Sequence, residues 1–385
     1  SLLFGPGRFA TTYALDADDR TRRDRASLEV EWPTAGPIGP VRALLYRQDS
    51  RSEQLSDQYR LADRATPFPS QRFRAFGFDQ ESLGLELTGQ WRGEWAGLSH
   101  WQVFGVDLVR HDYRGLRDGT ETNLLTGATT NVILGEVFPL RDFPNSSARE
   151  LGVFWQDEID FGNGWAIVPG IRWESYELDA NPDAIWTADN PTVQPASIDS
   201  DAFTPKLGLR WSSDRLTVYA QYARGFRAPP FGDVNIGLNL PAFNYVALPN
   251  PDLKPETSVG VELGMRAASS TARGQISIYD NRYTDFIENL VLRCPGDPRC
   301  VRIGGVNYVT YMNQNLSNVR IYGAEVRGSW DFARNWRVDG AIAYANGEDT
   351  DRHQPLNSIE PLKGTFGLTY DTGTWGSEAR VRAAT

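Results

Sequence analysis

No run of 18 or more apolar residues occurs in the 385-residue sequence, so no segment of it reads as a membrane-spanning helix. Nor is there a dense run of lysine and arginine. The formal charge is −10 and the pI about 5.0, which argues against nucleic acid as a partner, because phosphate binding needs a basic footprint. The start, "SLLFGPGRFATTYALDADDR", lacks the basic segment and apolar core of a signal peptide. Catalytic signatures are missing too: no G-x-S-x-G elbow, no phosphate loop, no H-E-x-x-H and no C-x-x-C. "DADD" (Asp16–Asp19) and "EDTD" (Glu348–Asp351) offer carboxylates, but solvated acidic loops are commoner than calcium sites. An enzyme is not expected.

Methionine (2) and histidine (3) are scarce, while 12 Trp, 15 Tyr and 18 Phe make a strand-former's composition. Period-2 alternation recurs from end to end. In "SVGVELGMRA" one face carries Val259, Val261, Leu263, Met265 and Ala267, and the other Gly260, Glu262, Gly264 and Arg266. In "IYGAEVRGSWDF" Tyr322, Ala324, Val326, Gly328, Trp330 and Phe332 alternate with Gly323, Glu325, Arg327, Ser329 and Asp331. One apolar and one charged face suit either a sandwich in water or a membrane barrel, whose apolar face meets lipid. The two cysteines, Cys294 and Cys300 in "RCPGDPRC", suit one small disulfide-closed loop in an oxidising compartment, since zinc wants four ligands and no histidine is near.

The connections decide between sandwich and barrel. Short links fall at Ala35–Gly39, Gly162–Gly164, Ser212–Arg215, Ala268–Thr271, Ala333–Asn335 and Thr372–Gly376. Long links fall at Arg51–Arg72, Gly115–Arg149, Ala180–Asp201, Pro229–Thr257, Leu292–Asn318 and Gly347–Pro361. Tight turns at one end and long loops at the other are the asymmetry of an outer-membrane barrel, and compact soluble domains rarely carry so many long loops. Trp91, Trp95, Phe161, Trp165, Trp211, Trp330, Trp336 and Trp375 flank the short links, where an interfacial girdle belongs. The expected fold is all-β: a large, up-and-down, transmembrane antiparallel β-barrel with about fourteen strands in residues 1–385. The chain starts in a loop-like segment with no globular plug before it and ends inside "SEARVRAAT", so it is expected to be part of a larger barrel.

"YARGFRAPPFGDVN" runs as a strand to Arg227 and breaks at Pro229 and Pro230; "NPDLKPE" (Asn250–Glu256) turns through two more prolines into the next strand. "GFRAP" followed by "NPDLKPETS" resembles the paired FRAP and NPNL boxes of TonB-dependent outer-membrane receptors for haem and haemoglobin. "FPLRDFPNS", "FTPKLGLRW", "YDNRYTDFIE", "VRIYGAEVRGSW" and "PLKGTFGLTYD" stand in the expected order, and the match runs from about Phe73 onward. The resemblance implies a barrel of about 22 strands closed by an N-terminal plug. It also implies a bacterial outer-membrane location and energy from the TonB complex, acting through a plug segment absent from this sequence. Haem, haemoglobin or a ferric siderophore would be the cargo, and no cofactor would be permanently bound.

By the same resemblance the two boxes bracket an extracellular capture loop, with Phe226, Arg227, Ala228 and Pro229 on one side and Asn250, Pro251, Asp252 and Leu253 on the other. Proline fixes φ, so Pro229, Pro230, Pro249, Pro251 and Pro255 stiffen this loop before a ligand arrives. Related haem receptors place an axial histidine between the boxes; here Tyr245 is the one residue there able to ligate iron, with Phe243 and Leu248 as porphyrin contacts. His353, in another long loop, is the histidine placed to reach an extracellular ligand. His111 sits near the loop end of its strand and His100 near a tight turn. Arg227 is expected to meet an anionic group of the cargo or, within the loop, Asp233 or Asp252. A ferric-siderophore receptor, a passive porin and a soluble β-rich carbohydrate-binding module are the alternatives.

Overall fold

The computed structural model describes residues 11–33, 38–356, 358–360 and 362–385. Fourteen long strands dominate: β1 (Thr12–Trp32), β2 (Ile38–Arg60), β3 (Ser70–Trp95), β4 (Leu98–Asn123), β5 (Asn145–Gly162), β6 (Trp165–Asn181), β7 (Ile198–Ser212), β8 (Leu216–Arg227), β9 (Glu256–Ala268), β10 (Ala272–Val291), β11 (Val309–Ala333), β12 (Trp336–Asp349), β13 (Leu362–Asp371) and β14 (Gly376–Ala384). Each pairs antiparallel with the next, an up-and-down meander. Among the described residues β1 pairs only with β2 and β14 only with β13, so the sheet has two free edges.

Register sorts the side chains onto two faces. Ile167, Leu209, Ala220, Leu263, Ile278 and Ala324 stand side by side across six strands, an unbroken apolar row. Leu263 is 54% exposed and Ile278 50%. The neighbouring row, Arg210, Tyr219, Gly264, Ser277 and Glu325, lies on the opposite face. There Tyr219 donates to Glu262 at 2.6 Å, and Arg266 sits 5.4 Å above its ring. A Cβ on Gly264 would run into that ring, so glycine is what lets Tyr219 lie flat. An exposed apolar row backed by a polar row is the pattern of a sheet with lipid on one side and an aqueous lumen on the other.

Among the described residues the tight turns lie at one end. The alternation includes a seventh, Ala96–Gly97, that the short links of the sequence omit; both residues have positive φ (54° and 78°), as a two-residue hairpin turn requires. The link at Ala35–Gly39 falls mostly outside the described residues, as do positions 357 and 361 of the one at Gly347–Pro361. Beside the turns Trp330, Phe332, Trp336, Tyr370 and Trp375 form a continuous chain of rings with centroids 4.8–6.4 Å apart, which includes Trp330, Trp336 and Trp375 of the expected girdle.

At the other end the strands run further than alternation indicated. The loop expected at Arg51–Arg72 is strand up to Arg60 and again from Ser70, and that expected at Gly115–Arg149 is strand to Asn123 and from Asn145. Likewise β11 begins at Val309 rather than after Asn318, and the loop-like start is strand from Thr12, so Asp16–Asp19 lie in a ladder and not in a loop. At 26 residues, β3 and β4 far exceed the roughly 9–11 that cross a bilayer. Above the membrane both faces of a strand meet water, so apolar contrast vanishes while hydrogen bonding continues. The buried clusters sit here too, around Leu178 and Leu253, around Phe138, and around Val319 and Leu356.

A candidate capture site in the loop-end mouth

The 28 residues between β8 and β9 (228–255) are built of small elements: helix α2 (Phe231–Asn235), short strands Leu238–Leu240 and Tyr245–Leu248, and a 3-10 turn at Pro241–Phe243 between them. (Helix α1, Ala184–Asp189, lies in the β6–β7 loop.) Pro229 is fully buried, and Val234, Leu253 and Ile287 pack with Ala148 and Leu178. Phe231 stacks on Tyr113 at 4.2 Å and meets Phe143 edge-on at 5.6 Å. The loop therefore folds inward, across the concave side of β4, β5 and β6, instead of standing in solvent.

Polar contacts fix it in place. Asn235, buried, exchanges two 2.8 Å hydrogen bonds with the backbone of Ala196 in the β6–β7 loop. Gly237 N donates to Asp142 O at 2.7 Å. On the far side, Asn250 Nδ2 donates to Asn313 O at 2.8 Å, and Asn315 accepts from Lys254 N and donates to Lys254 O, both at 2.9 Å. Asn313 and Asn315 belong to β11, inside the link expected at Leu292–Asn318, and their spacing of two puts them on one strand face. Tyr245–Leu248 adds to β11 as a parallel partner of Val309–Met312.

Arg227 and Glu256 close the stem. They are directly opposed across β8 and β9, with Nε to Oε2 at 2.7 Å and Nη2 to Oε1 at 2.6 Å. Glu256 Oε1 also accepts from Ile287 N at 2.7 Å. The internal partner of Arg227 is thus neither Asp233 nor Asp252. A cross-strand carboxylate at matched register outcompetes both, because it takes the guanidinium fork bidentately. Asp233 accepts from Asn313 Nδ2 at 3.2 Å instead, and burial raises its carboxyl above the ordinary range.

The other sequence-designated residues fall into distinct settings. Register puts Phe226 on the face shared by Tyr222 and Val261, opposite to Arg227. Ala228 is half-buried, Pro251 and Asp252 are exposed, and Leu253 is core. Tyr245 is half-buried, its ring 5.0 Å from Tyr311, and burial raises its hydroxyl pKa. His353 occupies an exposed turn at φ 53°, 3.3 Å from Glu348, in the loop whose Leu356 packs on Leu316 and Val319. His100 is buried against Asp157 at 2.7 Å, and His111 lies 2.8 Å from Ser82 Oγ. Cys294 and Cys300 are joined by a disulfide in the β10–β11 loop, Cα atoms 5.6 Å apart.

A meander with a lipid-type face, a polar face, an aromatic girdle and long loops folded into one end defines a class: the β-barrel of an outer-membrane receptor. The chain belongs to the TonB-dependent receptors; the family described as "TonB dependent receptor-like, beta-barrel" matches residues 3–385. Hemoglobin-haptoglobin utilization protein B of Neisseria meningitidis serogroup A is 25% identical over 250 residues, 59% of this chain and 31% of that protein. Hemoglobin-haptoglobin-binding protein A of Haemophilus influenzae is 26% identical over 187 residues, 46% of this chain and 17% of that protein. Among solved structures the copper transporter OprC superimposes with TM-score 0.70 at 19% identity, covering 97% of this chain and 53% of that one. The Serratia marcescens hemophore receptor HasR, solved with its hemophore HasA and heme, gives 0.58 at 14% identity, over 94% of this chain and 64% of HasR. The chain thus spans under a third of these curated relatives and roughly half to two thirds of these structures.

Proposed function

We propose that the chain is the barrel of a receptor that captures an iron source at the cell surface and admits it with energy delivered by the TonB complex, with haem from haemoglobin as the cargo. It works as a transporter and not as an enzyme. One observation carries this reading: the segment between the FRAP-like and NPNL-like boxes is a rigid inward-folded roof, clamped by Asn235, Asn250 and Asn315 and stapled by Arg227 and Glu256. Loop ordering is already met before binding, so a partner surface is presented at lower cost. The haemoglobin-binding relatives support the cargo assignment.

A ferric siderophore is the second reading, favoured by the lack of any histidine between Arg227 and Asn250. The deciding experiment is spectral titration of the purified full-length receptor with haemin, beside growth on haemoglobin or a ferric siderophore as sole iron source. A Soret shift with haemoglobin-dependent growth supports haem. Growth on the siderophore alone, with no Soret change, moves the assignment to the second reading, and diffusion of small solutes without TonB would make the barrel a porin.

A further inference from the structure

A second feature of the mouth lies away from the box stem. A cavity of about 830 Å³ opens on the lumen-side face at the loop ends of β2, β3 and β4. Its floor holds Arg60, Arg72 and Arg74; the β2–β3 loop contributes Arg64 and Phe68, and the β4–β5 loop Leu134. Pro241, Ala242 and Phe243 of the box loop form part of the opposite wall, with Pro241 against Gly135. The volume falls within the range of small-molecule sites, roughly 300–1,000 Å³.

The hydrogen-bond accounts of this cavity do not close. Four guanidiniums line it against two carboxylates, Asp63 and Glu121. Both carboxylates are committed: Asp63 accepts from Ala65 N at 2.9 Å, Thr66 N at 2.8 Å, Thr11 and Arg60. Glu121 Oε1 accepts from Ser70 at 2.6 Å and Arg72 Nε at 2.8 Å. Arg72 Nη2 is used by Thr66 at 2.6 Å. That leaves Arg60, only 3% exposed, with Nε and Nη1 buried and unpartnered, and Arg74 with Nε in the same condition. Burying a charged donor without an acceptor is costly, and here three buried guanidinium nitrogens of Arg60 and Arg74 have none.

We propose that this chamber is a cationic subsite of the receptor mouth that takes the carboxylate groups of an anionic cargo, whose apolar body rests against Phe68 and Leu134. It deepens the receptor reading above and rests on it. Guanidinium forks suit carboxylates in geometry as well as charge. The chemistry is shared by a porphyrin bearing propionates and by a carboxylate-type ferric chelate. Pro241 couples the chamber to the roof, so a cargo seated here touches the segment between the two boxes.

The test compares haemin, haemin dimethyl ester (propionates capped) and ferric citrate for binding to the purified full-length receptor. Variants are Arg60→Gln, Arg74→Gln and Arg64→Gln. Arg64 is exposed, so its variant folds even if loss of buried Arg60 does not; heat-modifiability on gels verifies the barrel in each. The expected result is that at least one carboxylate probe binds, that its Kd rises about tenfold in Arg74→Gln and less in Arg64→Gln, and that raised salt mimics the substitution. If haemin binds, its ester should bind about tenfold more weakly to the native receptor and equally to Arg74→Gln. Arginine-dependent binding of ferric citrate with none of haemin keeps the subsite and removes haem as cargo. Binding of either probe without arginine dependence, equal binding of haemin and its ester, or binding of neither probe overturns the subsite.

Discussion

Arg227 and Glu256 face each other across β8 and β9 and share two hydrogen bonds of 2.7 and 2.6 Å, at the point where the sheet gives way to the mouth loop. Glu256 is the buried member, its side chain 8% exposed against 50% for Arg227. Arg227→Ala leaves a buried carboxylate with only Ile287 N beside it. Charge-assisted bonds of this kind contribute about 1.5–3 kcal/mol, here lowered by the exposure of Arg227. The expected outcome is normal surface levels of heat-modifiable barrel, faster amide exchange in 228–255 and reduced growth on the iron source. Arg227→Lys should restore charge but not the bidentate bond, giving an intermediate exchange rate. Faster exchange with normal import in both variants would mean the pair is a structural corner without a part in capture, and normal exchange with normal import would mean that it does not hold the loop.

Leu263 and Glu262 make the two faces testable one residue apart. Leu263→Arg sets a charge in the apolar row and should cost about 2–4 kcal/mol if that row lies near the bilayer midplane. Glu262→Gln faces the lumen, keeps an acceptor for Tyr219 and should cost far less. Folding into lipid vesicles, followed by urea unfolding, measures both. Equal sensitivity would count against a lipid-facing row.

The alternation from Ser258 to Ala267 was legible because one face meets lipid and the other water, so every second residue carries the contrast. Above the membrane that contrast ends, so the strand ends at Arg60, Ser70, Asn123 and Val309 carry no alternation to distinguish them from loop. Prolines and the two boxes located the capture loop, but not its inward fold, which depends on Phe231 finding Tyr113 118 positions away in sequence order. The sequence marks Arg227 as an anion partner but points to Asp233 or Asp252, because only register reveals that Glu256 lies opposite. Nothing in the sequence groups Arg60, Arg72 and Arg74. These residues look like scattered surface charges until β2 and β3 are paired at Arg60 and Ser70.

Cys294 and Cys300 close a short loop between β10 and β11, with no free cysteine among the described residues; if that loop faces the outside of the cell, its thiols are reachable only once reduced. Membrane-impermeant maleimide should leave whole cells unlabelled and label them after mild reduction. Labelling without reductant would show free thiols, and no labelling in either condition would place the loop facing inward or buried.

Two loops of the mouth should respond to acid in opposite senses. Arg117 lies 2.8 Å from Glu136 and 3.0 Å from Asp142 in the β4–β5 loop, yet burial outweighs this pairing and raises both carboxyls above their usual range. A folded-state value above the unfolded one means the folded loop binds protons more tightly. Stability from these two groups is therefore present at low pH and falls as pH rises from the ordinary carboxylate range through the raised values. Asp297 is the reverse case. Arg299, bonded to it at 2.7 Å, lowers its carboxyl to about 2, so its contribution is present above the unfolded value and is lost as pH falls toward 2. Limited proteolysis or hydrogen exchange at pH 7, 4.5 and 2.5 should find the 124–144 loop no less protected at 4.5 than at 7, and any loosening inside the disulfide-closed 294–300 loop confined to 2.5. Asp142→Asn should flatten the first profile and leave the second unchanged. An opening of the 124–144 loop between pH 7 and 4.5 would show that the Arg117 pairing, and not burial, governs Glu136 and Asp142.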